Sequence, residues 1–408
     1  FPKRYFFFRE LTGDGLVTLE GNAWSRHRRI IQPAFQNNFI KDALDHVVPV
    51  RTQNLIAAWS KTSGRTIDVI SHMSTVTLDV IGEVAFSHDF GGAKVITEWA
   101  ACKNEDLQDV MDPLLKALKA SFKISPLSVM LGVFNIGWMD KYLNRRAART
   151  GKLLNEAVDN VIREARAKNS ESGADSRRKS LLQQLFEAKD SESTSDQAKL
   201  SEIELRDEVK TFILAGHETT SAWCYWALYA LARFPDVQEK VHRDITAVQN
   251  DASTLLTIEQ VDQMRYFYAF MNEVLRLYSP VGMFIRFTAQ KEVWKGYEIP
   301  AGTRMVIPLH LLHRHPDHWT NPDDFLPERW LQPDETRHKF AFLPFSAGGR
   351  NCIGQRFAEI EAKLIVASIA RAFVIQLAPC LKNTEITFTN FVSLKSKPLV
   401  KIRVSKRS

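Results

Sequence analysis

The stretch Phe345-Ser346-Ala347-Gly348-Gly349-Arg350-Asn351-Cys352-Ile353-Gly354 places one cysteine in a glycine-rich turn. From Gln355 onward, apolar residues recur at helical spacing, so Cys352 lies just ahead of a predicted helix. The free N–H groups and the dipole of a helix N-terminus favour an anion, and Arg350 adds positive charge two residues before the sulfur. The sequence therefore predicts that Cys352 is held as a thiolate, the form that binds iron.

Three glycines of this stretch, Gly348, Gly349 and Gly354, let the backbone turn tightly and approach a flat ligand. Phe345 is suitably placed to shield the sulfur from water. A free cysteine buried at a turn is the alternative interpretation, because lone cysteines are often buried.

The pattern Phe-x-x-Gly-x-Arg-x-Cys-x-Gly resembles the haem-binding signature of the cytochrome P450 family, and every defining position matches. The resemblance implies that Cys352 is the axial ligand of a haem iron, to which it lends electron density that favours O–O cleavage. It also implies that Phe345, Arg350 and Gly354 contact the cofactor.

Trp24 and Arg28 are four residues apart and share one face of a predicted helix. An indole N–H and a guanidinium on that face can both reach one carboxylate, although a basic helix start is often simply a solvated face. In the family, Trp-x-x-x-Arg holds a haem propionate, and the Pro-Ala-Phe that follows at Pro33 is also similar.

A long helix is predicted from the capping box Ser201-Glu202-Ile203-Glu204 to about Phe234. It contains Ala215-Gly216-His217-Glu218-Thr219-Thr220, where Gly216 suggests that something approaches the backbone closely. Ala215, Gly216 and Thr219 share one face, so the hydroxyl can hold water and Glu218 can relay protons. The alternative is a threonine that bonds back to its own helix. The segment resembles the family's oxygen-activating motif, in which Thr219 and Glu218 would deliver protons.

Glu273 and Arg276 are three apart on another predicted helix, spanning 266–277, where the usual outcome is a surface ion pair. In the family, Glu-x-x-Arg pairs with a later Pro-Glu-Arg, here at Arg329, which implies a structural network. Short strands are predicted within 281–288 and 293–307. Arg286 falls where family members often place a residue that binds a propionate.

Four histidines follow these strands, His310, His313, His315 and His318. Their spacing matches no recognised metal geometry, so we expect exposed loop histidines. Elsewhere, a core helix is predicted over 75–86, a roof over the substrate at 100–141, a helical block at about 140–168, and exposed loops at 169–176 and 190–196.

The composition is that of a globular protein, with 408 residues, 45% of them hydrophobic and 25% charged. A net charge of +7 without a basic run favours acidic protein partners or an anionic membrane over nucleic acid. The four cysteines are far apart, which is typical of free thiols in a reducing compartment.

Because the four motifs occur in family order, we expect a mainly α fold with a smaller β region, the cytochrome P450-like haem-thiolate fold. The resemblance implies a monooxygenase with haem b and O2, a small hydrophobic substrate (lipid, sterol, terpenoid or xenobiotic), and electrons from NADPH through a reductase such as NADPH-cytochrome P450 reductase. Isomerisation or dehydration without external electrons, and a non-catalytic fragment that holds no haem, are the alternatives.

The chain begins at Phe1 rather than Met and has no signal peptide or long uncharged span. We therefore expect residues 1–408 to be a single catalytic domain that lacks its N-terminal segment, which in the family often carries a membrane anchor. The resemblance implies that the intact protein is at the endoplasmic reticulum membrane, on its cytosolic face.

Overall fold

The computed structural model describes residues 12–36, 38–62, 64–102, 151–152, 154–168, 180–188, 199–251, 253–332, 336–382, 384–390 and 393–407. Besides a helical segment at 154–168, these residues form helices α1 Gly21–Gln36, α2 Asn38–Ser60, α3 Val69–Phe86, α4 Gly92–Ala101, α5 Leu181–Glu187, α6 Glu202–Arg233, α7 Pro235–Val248, α8 Ile258–Gln263, α9 Arg265–Leu277, α10 Leu309–Leu312 and α11 Gln355–Ala372. The strands are short and lie mostly in the C-terminal third: β1 Ile67–Asp68, β2 Met283–Phe287, β3 Glu292–Trp294, β4 Tyr297–Ile299, β5 Arg304–Pro308, β6 Phe373–Leu377, β7 Thr387–Asn390, β8 Leu394–Lys397 and β9 Lys401–Lys406. The prediction of a mainly α fold with a smaller β region is confirmed.

The strands form small antiparallel sheets around the helical core. One sheet has the order β1-β9-β6, and the pairs β2-β5, β3-β4 and β7-β8 are two-stranded. In the first sheet Ile67 lies opposite Ile402, so that sheet ties the start of α3 to the C-terminal strand.

Helix α6 begins where the capping box predicts. The Ser201 side chain accepts from the Glu204 N–H, and the Glu204 carboxylate accepts from the Ser201 N–H at 2.8 Å. The helix then runs through the centre of the core, and most of its residues after Glu204 are buried. A helix with apolar residues on nearly every side is stable only inside a protein.

Helix α3 is the predicted core helix, and it packs against α6. Among the described residues it is the one helix long and apolar enough to cross a bilayer, and 94% of it is buried inside the protein. Its N-terminus is capped by Asp68, whose side chain accepts from the N–H of Ser71.

The pair Glu273 and Arg276 is fully buried, not a surface ion pair. Arg276 Nε and Nη2 donate to the two Glu273 oxygens at 2.9 and 2.8 Å. Arg329 Nε and Trp330 Nε1 also donate to this carboxylate, at 3.1 and 2.8 Å. The structure thus contains the network that the motif order implied.

Several sequence predictions lie wholly or largely outside the described residues. These are the roof over the substrate at 100–141, the first part of the helical block at about 140–168, and the loops at 169–176 and 190–196. The described part of the helical block, 151–152 and 154–168, is helical as predicted. Between the two loops, Leu181, Leu182 and Leu185 are buried in helix α5, which begins with a capping box at Ser180.

Replacing Glu273 by alanine is expected to lower the free energy of unfolding by about 3–5 kcal/mol, because two buried guanidiniums lose their carboxylate. Urea unfolding at constant pH measures this. Glu239→Ala is the matched control, since it removes the partner of Arg407 where the glutamate side chain is 54% exposed, and we expect a loss below about 1 kcal/mol. Equal losses in the two variants would contradict the structural role of Glu273.

Candidate active site

The loop that carries Cys352 is closed by its own backbone. The Cys352 N–H donates to the Phe345 carbonyl and the Asn351 N–H donates to the Gly348 carbonyl, both at 3.0 Å. Gly348 has φ 75°, in the left-handed region that favours glycine, and Ser346 has φ 62°. Helix α11 follows directly, so the predicted position of Cys352 ahead of a helix is confirmed.

A cavity of about 290 Å³ lies between this loop and helix α6. One side is formed by residues of α6 and the other by residues of the cysteine loop and the start of α11. Lining residues include Ala215, Gly216, Thr219 and Thr220 on the first side, and Phe345, Arg350, Cys352 and Gly354 on the second. The structure therefore brings together most of the predicted site residues, and the rest of the lining is mainly apolar.

Trp24 and Arg350 form a stacked pair beside the loop. The Arg350 guanidinium lies 4.1 Å from the centre of the indole ring, and its Nη1 donates to the Leu19 carbonyl at 2.8 Å. A guanidinium over an indole ring is held in place by cation–π attraction.

Arg28 contacts the residue before the cysteine. Its Nη2 donates to Asn351 Oδ1 at 2.9 Å and its Nη1 donates to the Asn351 carbonyl at 3.2 Å. Arg28 lines a second cavity, of about 700 Å³, which also reaches Cys352. Arg286, on strand β2, donates to Ser346 Oγ at 3.0 Å. Three arginines therefore converge on the cysteine loop.

The shape of the loop fits a flat cofactor. A Cβ built on Gly354 would meet Phe35 only at 3.9 Å, and one on Gly349 would meet Trp24 at 3.9 Å. Protein packing therefore does not require glycine at these two positions, whereas a ligand lying against the backbone would. Together with a cysteine that lines the cavity and three nearby guanidiniums, the residues present fit a haem with its two carboxylates.

Burial opposes the predicted preference of Cys352 for the thiolate form. Burial raises the pKa of this thiol, and the Gly354 N–H and Arg28 oppose that effect only in part. Desolvation has a larger effect on this pKa than the N-terminus of α11 and Arg28 together. Arg350 contacts Trp24 and Leu19 instead. A bound metal ion is the charge that would deprotonate the sulfur.

The close approach predicted at Gly216 is made by another helix. A Cβ at Gly216 would lie 3.2 Å from Ile81 of α3, which is tighter than ordinary contact. Thr219 Oγ1 donates to the Ala215 carbonyl at 2.8 Å, the alternative that the sequence left open. Thr219 lines the cavity, and a hydroxyl that donates one hydrogen bond can still accept others.

Within the part of the chain that the structure describes, Glu218 is not one of the residues that line the cavity. Its Oε1 accepts from Ser393 Oγ at 2.6 Å and from Lys395 Nζ at 2.7 Å. Burial alone would raise the pKa of Glu218, but Lys395, His217 and Ser393 hold it below its usual value. The carboxylate is therefore ionised and directed toward strand β8.

Sequence reasoning missed the cluster that attaches α1 to α6. His27, which precedes Arg28, is buried, and its Nδ1 lies 2.7 Å from Glu208 Oε1. Its Nε2 lies 3.2 Å from Glu204 Oε1, and Arg26 Nη1 donates to the same oxygen at 2.8 Å. These partners are 177 to 181 residues apart in the sequence and leave no local pattern. The one signal for acidic partners was the group of three arginines around His27.

The expectation of exposed loop histidines is wrong for His313. This residue is fully buried, and its Nε2 accepts from the Leu343 N–H at 3.0 Å. Burial lowers the pKa of His313 to about 4, so the ring is neutral and serves as a hydrogen-bond acceptor in the core. His310 and His315 are exposed, as expected.

The family model for cytochrome P450 matches residues 3–402. Cytochrome P450 4A2 of Rattus norvegicus is 32% identical over 413 residues, which cover 99% of this chain and 78% of that protein. Cytochrome P450 4X1 of Homo sapiens is 31% identical, over 98% of this chain and 77% of that protein. The crystal structure of the cytochrome P450DA heme domain has a TM-score of 0.81 at 29% identity, covering 99% of this chain and 82% of that one.

These similarities and the cavity between Thr219 and Cys352 define a haem-thiolate enzyme. The chain belongs to the cytochrome P450 family. It is a monooxygenase that uses haem b and O2, acts on a hydrophobic organic substrate, and takes electrons from NADPH through a separate reductase. Isomerisation or dehydration, and a fragment without haem, are not favoured.

His27 makes stability depend on pH. Burial alone would lower the pKa of His27, but hydrogen bonds and charge from Glu208 and Glu204 raise it. A pKa that is raised by folding stabilises the folded protein at pH values below the unfolded-state pKa of 6.5. This stabilisation is lost as the pH rises through the folded-state pKa. His27→Gln is therefore expected to lose more stability near pH 6 than near pH 9. Urea unfolding at both pH values measures the two losses.

The matched control is His46→Gln, because His46 is exposed and its Nδ1 lies 2.8 Å from the Asp42 carbonyl of the same helix. We expect this variant to change the free energy of unfolding by less than about 0.5 kcal/mol. Equal losses for His27→Gln at the two pH values would show that the two glutamates do not hold a protonated ring.

Proposed function

We propose that Cys352 is the ligand of the haem iron and that the cavity between α6 and the cysteine loop holds the cofactor and the substrate. The observation that carries this proposal is that Cys352 and Thr219, 133 residues apart in the sequence, line opposite sides of one cavity. When bound there, haem supplies the redox chemistry that activates dioxygen, and the thiolate tunes it.

Arg28, Arg350 and Arg286 would neutralise the two propionates, and Trp24 would offer its indole N–H to one of them. Arg350 lines the cavity and is held by Trp24, while Arg28 and Arg286 reach the loop through Asn351 and Ser346. Each guanidinium is fixed by a protein oxygen or ring, so little side-chain entropy is lost when an anion binds. Phe345 packs edge-on against Trp223, with ring centres 6.1 Å apart, and covers the sulfur side of the cavity.

Thr219 and Glu218 would supply protons. Thr219 lines the cavity, and its hydroxyl can accept a hydrogen bond there while it donates to the Ala215 carbonyl. Ala215 has a small side chain and Gly216 has none, which leaves room for the reacting atoms beside the hydroxyl. Glu218, the adjacent acid, would replenish the proton that passes through Thr219.

The apolar lining supports a hydrophobic substrate. Phe212, Leu275, Val281 and Phe284 line the cavity and bring no charge to it. Such walls exclude water and bind a substrate by burying its apolar surface. This suits a substrate that reacts at a C–H bond with no polar group nearby. We further propose that residues 1–408 form one catalytic domain, because a single hydrophobic core contains residues from Leu16 to Val404.

The decisive experiment is the absorption spectrum of the purified protein after reduction and addition of carbon monoxide. We expect the red-shifted Soret band of a thiolate-ligated haem, and we expect Cys352→Ser to lose it. Cys380→Ser is the matched control, since Cys380 is a free cysteine that does not line the cavity and should keep the band. A band that survives in Cys352→Ser, or the absence of any haem band in the unaltered protein, would refute the assignment.

We also propose that the intact protein works at the cytosolic face of the endoplasmic reticulum membrane. Support comes from the β3-β4 hairpin, where Val293, Trp294 and Tyr297 are 63%, 48% and 75% exposed. Lys295 lies at the tip, with φ 49°. Exposed aromatic residues beside lysine are typical of surfaces that enter the headgroup region of a bilayer, and the net charge of +7 favours anionic lipid.

Replacing Trp294 and Tyr297 together by serine is expected to reduce binding to vesicles of phosphatidylcholine and phosphatidylserine by about tenfold, because two aromatic rings no longer enter the interface. Flotation of the vesicles measures the bound fraction. Tyr268→Ser with Phe340→Ser is the control pair, since both side chains are about half exposed elsewhere, at 51% and 47%. Unchanged binding of the hairpin variant would eliminate this surface.

A further inference from the structure

A third cavity, of about 240 Å³, lies beside the end of α9 and the start of β2, and we call it the outer cavity. Among the described residues it shares no lining residue with the active-site cavity between α6 and the cysteine loop. A cavity of about 150 Å³ can hold one benzene molecule, so the outer cavity has room for a molecule larger than a single ring. Its lining includes Ser279, Gly282, Met283, Pro308, His310 and Phe388.

The outer cavity and the active-site cavity are lined by neighbouring residues of one chain segment. Ser279 lines the outer cavity, whereas Pro280 lines the active-site cavity. In β2, Met283 lines the first and Phe284 the second, as expected for consecutive residues of a strand, which point to opposite sides. The segment 279–284 is therefore a wall, one backbone thick, between the two cavities.

The hydroxyl of Ser279 is buried and unpaired. Ser279 is 4% exposed, and within the part of the chain that the structure describes its Oγ has no hydrogen-bond partner. Leaving a buried hydroxyl unpaired is unfavourable, so such a group marks a position where water or a ligand completes the hydrogen bonding. Because Ser279 lines the outer cavity, that position is inside it.

The other polar side chains of the outer cavity favour a neutral ligand. Arg276 donates five hydrogen bonds, two to Glu273 and three to backbone carbonyls, which uses every N–H of its guanidinium. His310 Nδ1 lies 2.8 Å from Arg314 Nη1 and must accept there, because a guanidinium only donates. Burial and Arg314 lower the pKa of His310, which agrees with a neutral ring that carries its proton on Nε2.

We propose that the outer cavity binds a neutral, mainly apolar molecule with one hydroxyl group, of the class of phenols and alcohols, and that this occupant braces the wall of the active-site cavity. The hydroxyl would bond to Ser279, and the apolar body would lie against Met283, Phe388 and Leu394. Met283 and Phe388 are 49% and 45% exposed, so the cavity can be reached from solvent.

The first test is calorimetric titration of the haem-loaded protein with β-naphthol, after phenylimidazole has filled the active-site cavity. An imidazole nitrogen ligates haem iron, so the absorption band of the azole complex shows whether that cavity stays occupied. We expect β-naphthol to bind at a single site without changing this band. Naphthalene, which lacks the hydroxyl, should bind about fivefold more weakly, because it leaves Ser279 unpaired.

Two pairs of variants assign the site. In Ser279→Ala, β-naphthol and naphthalene should bind equally, whereas Ser405→Ala, at an exposed serine of β9, should keep the difference. Met283→Trp should weaken β-naphthol by about tenfold, because the larger side chain fills the cavity. Val306→Trp is its matched control, since Val306 is also 49% exposed, on the paired strand β5, and does not line the cavity. The azole band of each variant confirms that it is folded.

The second test measures how the outer cavity affects the active-site cavity. Saturating β-naphthol should weaken the bulky azole clotrimazole by about fivefold and leave imidazole unchanged, because only the bulky ligand presses on the braced wall. Met283→Trp, which fills the outer cavity permanently, should have the same effect without β-naphthol. By linkage, clotrimazole should weaken β-naphthol by the same factor. Absorption titrations measure both azole affinities.

The outcomes separate the two parts of the proposal. Absence of β-naphthol binding, or naphthalene that binds as tightly, would show that water alone completes the bonding of Ser279 and would refute the site. Displacement of phenylimidazole would refute it too, because β-naphthol would then occupy the active-site cavity. Binding with unchanged clotrimazole affinity would refute the bracing of the wall. Failure of Cys352 as the iron ligand would appear separately, as a missing Soret band after reduction and addition of carbon monoxide.

Discussion

The buried carboxylate of Glu273 is the constraint on which the C-terminal half of the structure depends. A charge with no access to water is tolerated only when its hydrogen-bonding capacity is filled, and here Arg276, Arg329 and Trp330 fill it. Since the last two follow Glu273 by more than fifty residues, the ion fixes the course of the chain from α9 to the segment that leads into the Cys352 loop.

Around Cys352 the protein stabilises geometry more than charge. Backbone hydrogen bonds close the loop. Arg28 donates to Asn351, and Arg350 stacks on Trp24 and donates to the Leu19 carbonyl. Burial consequently leaves the thiol with a raised pKa. Such a site would suit a cofactor that brings its own positive charge, because a metal ion favours the deprotonated form of a thiol that coordinates it.

What could be predicted from the sequence was local or motif-based. The capping box at Ser201, the helix after Cys352 and the Glu273 pair follow from spacings of three or four residues, or from motifs in family order. Contacts across 175 residues, such as that between Glu218 and Ser393, leave no local pattern. The same holds for burial: His313 lies in a run of histidines that looks exposed, and only tertiary packing places it in the core.

Gly216 and Ile81 are in close contact where α6 crosses α3, and both also line the cavity. The distance between the two core helices and the room beside Thr219 are therefore governed by one small residue meeting one branched side chain. Because α3 carries none of the proposed catalytic groups, evolution can resize the chamber at position 81 while the chemistry remains untouched. The range of substrates that fit the cavity can therefore change while the groups proposed to carry out the reaction stay the same.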